Sequence, residues 1–535
     1  MREGLTHLIN QVRSLSAEPC TKYSCSTLSI ASHRKTLSNT SDVAMKEFRC
    51  TIDAVPPELL WKIFMINTER HIPYKPSALY IDDEPDSRLD TAHSCSQVCR
   101  SWRTLLLQSP SVWGRLLHIQ SFERTADEWR ETVICRVGDA PLWIIGTVSD
   151  ATRPFILSIL QKKWQSVQVL VMRDKDLPNG KLSSAWSFLE REAPTLEVFN
   201  LWTNSLRLDA QHTTPLSPLF RNAAPRLESF VMSEPFQLTL PIPWLANLHT
   251  ITFNRKLQSV STILSALKST PRLKHLYILG DPTPRTIYTE DGYIDKLHLP
   301  LLETFAIRDR YPQAKDLILL LESITLAPKQ NTLRTLDLPP VVDQRSHCSI
   351  TKWIHAYMDS SPPRHLVLTD RDEESDILEI EMRTSQHREA EGLVAGLALD
   401  SNFPLAIKNI AQSPHFHAIE TLDVLLGPAR WSLRPLYEAL RSVTHLTAIG
   451  SGIGALFHDM QQFSLFPHLR TIYLPNHLRN TNSKSLMNFL EYRASVGSPV
   501  SVLELTQASV EFVSGVHKER LTRIPGLTVM FKEDG

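Results

Sequence analysis

Glycine is scarce in this sequence, with 17 residues in 535. Few turns can therefore rely on a positive φ held at no steric cost. Proline is plentiful at 35, so helix starts and stops carry much of the punctuation. The cysteines, at positions 20, 25, 50, 95, 99, 135 and 348, are odd in number and scattered. That pattern excludes a disulfide framework and points to a reducing compartment, cytosol or nucleus. Net charge is absent too, because 57 Lys and Arg balance 57 Asp and Glu. No global field favours nucleic acid or an anionic membrane, and neither is expected as a partner. No run reaches the roughly 18 apolar residues that a membrane span needs. The opening MREGLTHLINQVRSLS lacks the apolar centre of a secretory signal.

Signatures of catalysis are missing as well. There is no P-loop, no G-x-S-x-G and no H-E-x-x-H. Partial patterns stand in their place. Gly450-x-Gly452-x-x-Ala455 follows an apolar run and opens a helical pattern, as a dinucleotide fingerprint would. The next strand-like run, LRTIYLPNH, brings no carboxylate for a ribose. Asp370, Asp372, Glu374 and Glu381 have calcium-loop spacing, but Ser375 stands where such a loop needs glycine. His93, Cys95 and Cys99 could supply three metal ligands, with no fourth in view. His347, Cys348 and His355 read as a loop and helix start, with nothing to supply an oxyanion hole. No metal, cofactor or catalytic residue is expected, and the chain reads as a non-enzyme.

What is present begins after a Ser/Thr-rich stretch. Residues 1–50 have weak periodicity; LTHLINQVRSL could form a short amphipathic helix or a frayed leader. In DAVPPELLWKIF, Leu59, Leu60, Ile63 and Phe64 fall on one helical face behind two prolines. Residues 68–94 carry three prolines and the acidic run IDDEPD, and read as a long surface loop. A helix could still lie near 79–81 or over RLDTAHS. Val98, Trp102, Leu105 and Leu106 then share a second helical face, which Ser109-Pro110 ends.

Beyond Trp113 a six-residue motif recurs: apolar, two variable places, apolar, one variable, apolar. Copies begin at Val167, Leu196, Leu227, Leu248, Leu273, Leu302, Leu333, Ile419, Leu469 and Val500. A degenerate copy begins at Leu446 and ends on Ser451. Adjacent copies lie 21 to 31 residues apart, except across 333–419. That interval has room for one or two poorer copies, near HLVL (365–368) and LEIEM (378–382). Trp113-x-x-Leu116-x-His118 matches the spacing except at its last place, and reads as the hinge into the array. The alternating end of the motif suits a short strand. Helical patterns such as VSTILSALKST, AKDLILLLESITLA, SITKWIHAYMDSS, LRPLYEALRSV and SLMNFLEYRAS lie between copies. Repeated strand–helix units predict parallel strands stacked into a solenoid, with a compact doubly wound sheet as the alternative.

VPPELLWKIF followed by SQVCRSWRTLLLQSPSVW resembles an F-box. It is similar to the form in basidiomycete fungi, where the box precedes an irregular leucine-rich array. The motifs come in the family's order: the Pro-x-Glu-Leu-Leu start, the Ile63-Phe64 pair, Val98-Cys99-Arg100-x-Trp102-Arg103, and Ser-Pro-x-x-Trp ending at Trp113. Val55 stands where the family usually has Leu, and the 68–94 insert is long. The array resembles degenerate leucine-rich repeats without their usual Asn or Cys. The implied fold class is α/β: a small all-helical F-box, then an irregular leucine-rich-repeat solenoid. The implied domains are a partly disordered leader at 1–50, the box at 51–118 and the array at 119–535.

The resemblance implies a substrate-recognition subunit of an SCF-type cullin–RING ubiquitin ligase. The box would bind a Skp-family adaptor, and through it a cullin; the array would hold a protein substrate. Carried over by position, the adaptor surface would use Pro56, Leu59, Leu60, Ile63, Phe64, Val98, Cys99 and Trp102. So small a helical unit, with this much apolar surface, should turn some of it towards a partner. The alternatives are an interaction scaffold using the same parts and, in a different class, a nucleotide-binding enzyme using Gly450–Ala455.

Overall fold

The computed structural model describes residues 55–68, 88–123, 125–174, 184–203, 218–232, 240–254, 260–279, 296–308, 314–326, 333–338, 344–370, 377–384, 392–398, 403–425, 427, 432–475, 480–506 and 516–532. The chain divides into two compact units, Met1–Leu59 and Leu60–Gly535. Residues 1–50 and the 79–81 stretch lie outside the described residues. Among those described, no helix is long and apolar enough to cross a membrane.

The fold is mixed α/β, helical first and then built on parallel strands. Helix α1 spans Pro57–Thr68, α2 Arg88–Val98, α3 Arg100–Leu107 and α4 Pro110–Gly114. The predicted 68–94 loop is thus helical over its last residues, and RLDTAHS lies in α2.

Strands follow from β1 (Leu117–His118) through β2 (Leu142–Val148), β3 (Val167–Asp174), β4 (Val198–Thr203), β5 (Ser229–Met232), β6 (Thr250–Asn254) and β7 (His275–Leu279). Then come β8 (Leu297–Leu299), β9 (Thr304–Arg308), β10 (Ile324–Leu326), β11 (Leu333–Leu338), β12 (His365–Asp370), β13 (Ile377–Arg383) and β14 (Gly392–Ala398). The last are β15 (Thr421–Leu425), β16 (His445–Ile449), β17 (Thr471–Leu474), β18 (Val502–Thr506) and β19 (Thr528–Lys532). Among the described residues, 17 of these share one sheet. β8 and β10 pair in parallel apart from it. The end of AKDLILLLESITLA is therefore a strand, not helix.

Each strand from β1 to β7 lies parallel to the one before it. β9 follows β7 and β11 follows β9, both in parallel. The same stepping runs from β15 to β19. The register puts like motif places side by side: Leu170 beside Phe199, Phe199 beside Phe230, Ile251 beside Leu276 and Leu276 beside Phe305. These side chains are fully or almost fully buried, each contributing roughly 1.5–3 kcal/mol of transfer free energy. Their partners come from the segments between strands. Phe220 and Trp244 pack on Phe199 and Phe230, and Trp353 of the Gln344–Ser360 helix meets Phe305 at 5.3 Å.

Between β11 and β15 the order reverses. β11 pairs in parallel with β14, β14 runs antiparallel to β13, and β13 antiparallel to β12. β12 then pairs in parallel with β15. HLVL and LEIEM are strands, but LEIEM runs against its neighbours. The third strand, GLVAGLA, has Gly and Ala where a leucine motif would show, so no pattern announced it. The acidic run after Asp370 joins two strands, with no helix on either side.

Register also corrects two copies. Leu446 pairs beside Leu422 and Ala448 beside Val424, so that copy begins at Val443, which is fully buried; Ser451 is no core place. Leu117, not Leu116, stands beside Ile144, one residue from the predicted hinge register. β2 escaped the motif because Gly146 fills its last apolar place. A Cβ there would meet Gln120 Oε1 at 2.1 Å and Ile119 Cβ at 3.0 Å, so neighbouring side chains already occupy the slot.

Candidate partner-binding surface

Pro57 opens α1, where its missing N–H costs nothing. Glu58 sits in the first turn, which suits the positive helix end. The other end closes with Thr68, whose Oγ1 donates to Met65 O at 2.6 Å, and Arg88, whose Nη1 donates to Thr68 O at 2.8 Å. α1 and α2 are thus tied across the 69–87 interval.

The opening of the second motif is two helices, not one. Cys99 adopts φ −154°, ψ 170°, which breaks the helix after Val98. Its Sγ accepts the Trp102 N–H at 3.5 Å, as an N-cap would. Val98 and Trp102 therefore do not share a helical face. Cys95 and Cys99 likewise fall on opposite sides of the break, and burial pushes the Cys95 thiol up from its ordinary pKa. Among the described residues, no group of three or more His, Cys, Asp or Glu is placed to hold a metal.

Trp102 packs edge-on against Phe64, with ring centroids 5.2 Å apart at 75°. Such a pair contributes about 0.5–1.5 kcal/mol beyond the area it buries. Leu60, Phe64, Trp102 and Leu106 are all buried. Ile63 and Cys99 are half-buried, while Pro56, Leu59 and Val98 are exposed. The eight expected residues thus divide into an inner and an outer set. Sequence reasoning missed three exposed apolar side chains: Trp61, Ile66 and Leu107. Ile66 was within reach, standing three residues past Ile63 on the same helix.

α4 carries Trp113 into a different environment. It is fully buried, its Nε1–H donates to Leu106 O at 2.8 Å, and the Arg136 guanidinium lies 4.6 Å from its ring centroid. Next to it, a Cβ on Gly114 would meet Pro141 O at 2.4 Å, so the end of α4 lies directly against the start of β2.

Around Gly450 the sequence expectation of strand, turn and helix is met. β16 ends at Ile449, Gly450 takes φ 106°, and a helix runs Ile453–Gln462. β17, the next strand, carries no carboxylate.

Residues 52–118 match the F-box-like family. The match covers the whole helical segment and ends where β1 ends. No curated protein matches the chain significantly.

Proposed function

We propose that this is an F-box protein of the basidiomycete type. It would act as the non-catalytic substrate receptor of an SCF-type cullin–RING ubiquitin ligase. The sheet that follows the box would be a degenerate leucine-rich-repeat array that holds a protein substrate. The box fixes the chain on a Skp-family adaptor, and the array raises the substrate's effective concentration near the conjugating enzyme. The observation that carries this reading is the F-box-like match at 52–118, over helices that leave Leu59, Ile66 and Val98 exposed.

Contact with the adaptor falls to Pro56, Leu59, Ile63, Ile66, Val98 and Cys99. Leu60, Phe64 and Trp102 hold the helices that present them. The full chain should co-purify with a Skp-type adaptor. A Leu59→Asp, Ile66→Asp, Val98→Asp variant should keep its fold and lose that capture. If wild type captures no adaptor, the reading fails. A scaffold without ligase activity would capture adaptor yet leave its bound partner unmodified in a reconstituted ubiquitination reaction.

A further inference from the structure

The stacked strands bury their core places as far as β18, where Leu503 and Leu505 are fully buried. On β19 the same layer opens. Phe531 stands beside Leu505 in register, yet it is 51% exposed. Met530, beside Glu504 on the opposite face, is 48% exposed. Among the described residues, β19 pairs with β18 alone. Edge strands are ordinarily guarded by charge or proline, and a repeat array ordinarily ends on a polar cap. TVMFK has neither. Its single charge, Lys532, turns back to Glu504 at 2.5 Å and to the Tyr473 ring at 4.8 Å.

The main chain shows what fits this edge. Thr528 N–H donates to Ser501 O at 2.8 Å. Thr528, Met530 and Lys532 therefore direct their main-chain groups at β18, and Val529 and Phe531 direct theirs outwards. We propose that β19 pairs antiparallel with β19 of a second copy of this chain, with Met530 on the two-fold axis. In that register Val529 lies opposite the partner's Phe531, and Phe531 opposite the partner's Val529. Both are hydrogen-bonded pairs, so every outward N–H and C=O finds a mate. Each also sets an aromatic ring beside a β-branched side chain, which continues the Leu503 and Leu505 layer across the seam. Lys532 falls opposite the partner's Thr528, so no like charges meet. The strand is its own complement, as a two-fold interface requires. The other end of the sheet offers no such edge: β1 is two residues long, with Leu117 and His118 buried. Head-to-tail stacking is closed off, and the assembly ends at a dimer.

The test is sedimentation equilibrium of the full chain over a wide concentration range. The mass should rise from 60.8 kDa to twice that value and stop. Val529→Pro removes an outward N–H and no bond to β18, and should weaken association about tenfold or more. A second variant keeps the edge intact. Met530→Cys brings two thiols to a Cα separation of about 4.5 Å across the axis, within disulfide reach. Diamide should link its copies, two thiols giving up two electrons and two protons to the reagent. Thr528→Cys, displaced from its own copy by the register, should link no faster than wild type. A wild type that stays monomeric, or assembles beyond a dimer, overturns the proposal. So does a dimer insensitive to Val529→Pro, or equal linking of the two cysteine variants. Adaptor capture is measured separately, because the box contributes nothing to this seam.

Discussion

The helical segment and the sheet treat apolar side chains in opposite ways. Ten large apolar residues are exposed among those described, and five of them, Leu59, Trp61, Ile66, Val98 and Leu107, lie within residues 59–107. The other five are spread from Leu301 to Phe531. The sheet can bury nearly all of its leucines because each strand between β2 and β18 of the large sheet has a neighbour on both sides, and segments between strands cover it. Helices of 12, 11 and 8 residues have too little depth for that. What they cannot bury is available to a partner. The lesson concerns placement: Phe64 and Trp102 lie inside the box while Trp61 and four aliphatics lie outside, so residue type alone does not separate the two.

The comparison can be broken most forcefully by deleting one ring from each region. Phe64→Ala and Phe199→Ala each remove a buried ring, and each should cost about 3–5 kcal/mol locally. Phe64→Ala should abolish adaptor capture. Phe199→Ala should lower the sheet's unfolding transition in denaturant and leave capture intact. Identical behaviour of the two would mean that the regions are not energetically separate.

A smaller effect is expected where α4 meets β2. Gly114→Ala pushes a methyl into Pro141 O, and should cost about 1–3 kcal/mol. A melting temperature equal to wild type would show that the contact can relax freely.

Within the sheet, burial works against the charge of Asp423. Hydrogen bonds from His365 and Thr447 and the charges of His365 and Arg383 outweigh it, and hold the carboxyl below its ordinary range. A depressed folded pKa contributes stability above the unfolded value, about 3.9, and loses it as pH falls through the folded one. Asp423→Asn should therefore destabilise by about 1–3 kcal/mol at neutral pH. The gap to wild type should close as unfolding is measured at progressively lower pH below 4. A gap that widens on acidification would contradict the sign.

The smallest stability change belongs to the box exterior. Leu59→Asp, Ile66→Asp and Val98→Asp should each stay within about 0.5 kcal/mol of wild type, while the three together should abolish the proposed adaptor capture. A large loss of stability would place these residues in a core and erase the distinction.

The repeating part of the fold was legible because three side chains in each six-residue motif are forced to be apolar by stacking. Leu196, Leu227, Leu273 and Leu302 all stand where the motif places them, fully buried or nearly so. Legibility failed where another group fills the slot. Gly146 is covered by Gln120 and Ile119, and Ala448 is small enough to pass unnoticed. It failed again where strand direction reverses, because β13 alternates like any other strand and periodicity carries no sign. In the candidate site, apolar spacing picked out residues on both helical stretches but did not separate the buried from the exposed ones. The Cys99 break, which turns Val98 outwards, is a backbone event that apolar spacing cannot show.

The reversal between β11 and β15 has a kinetic consequence. Elsewhere a strand meets a partner roughly 25 residues away, as when Thr421 joins His445. At the reversal, His365 must find Thr421 and Thr335 must find Val394, 56 and 59 residues apart. Doubling a closure length costs only about 0.6 kcal/mol, so the equilibrium barely registers it. Assembly order does. β11 cannot acquire its next neighbour until β12, β13 and β14 have formed and folded back. Growth from the amino-terminal side must pause there with an open strand edge, which is the kind of surface that captures other chains. The slow event during synthesis is thus the joining of two independently zipped halves at a single internal seam.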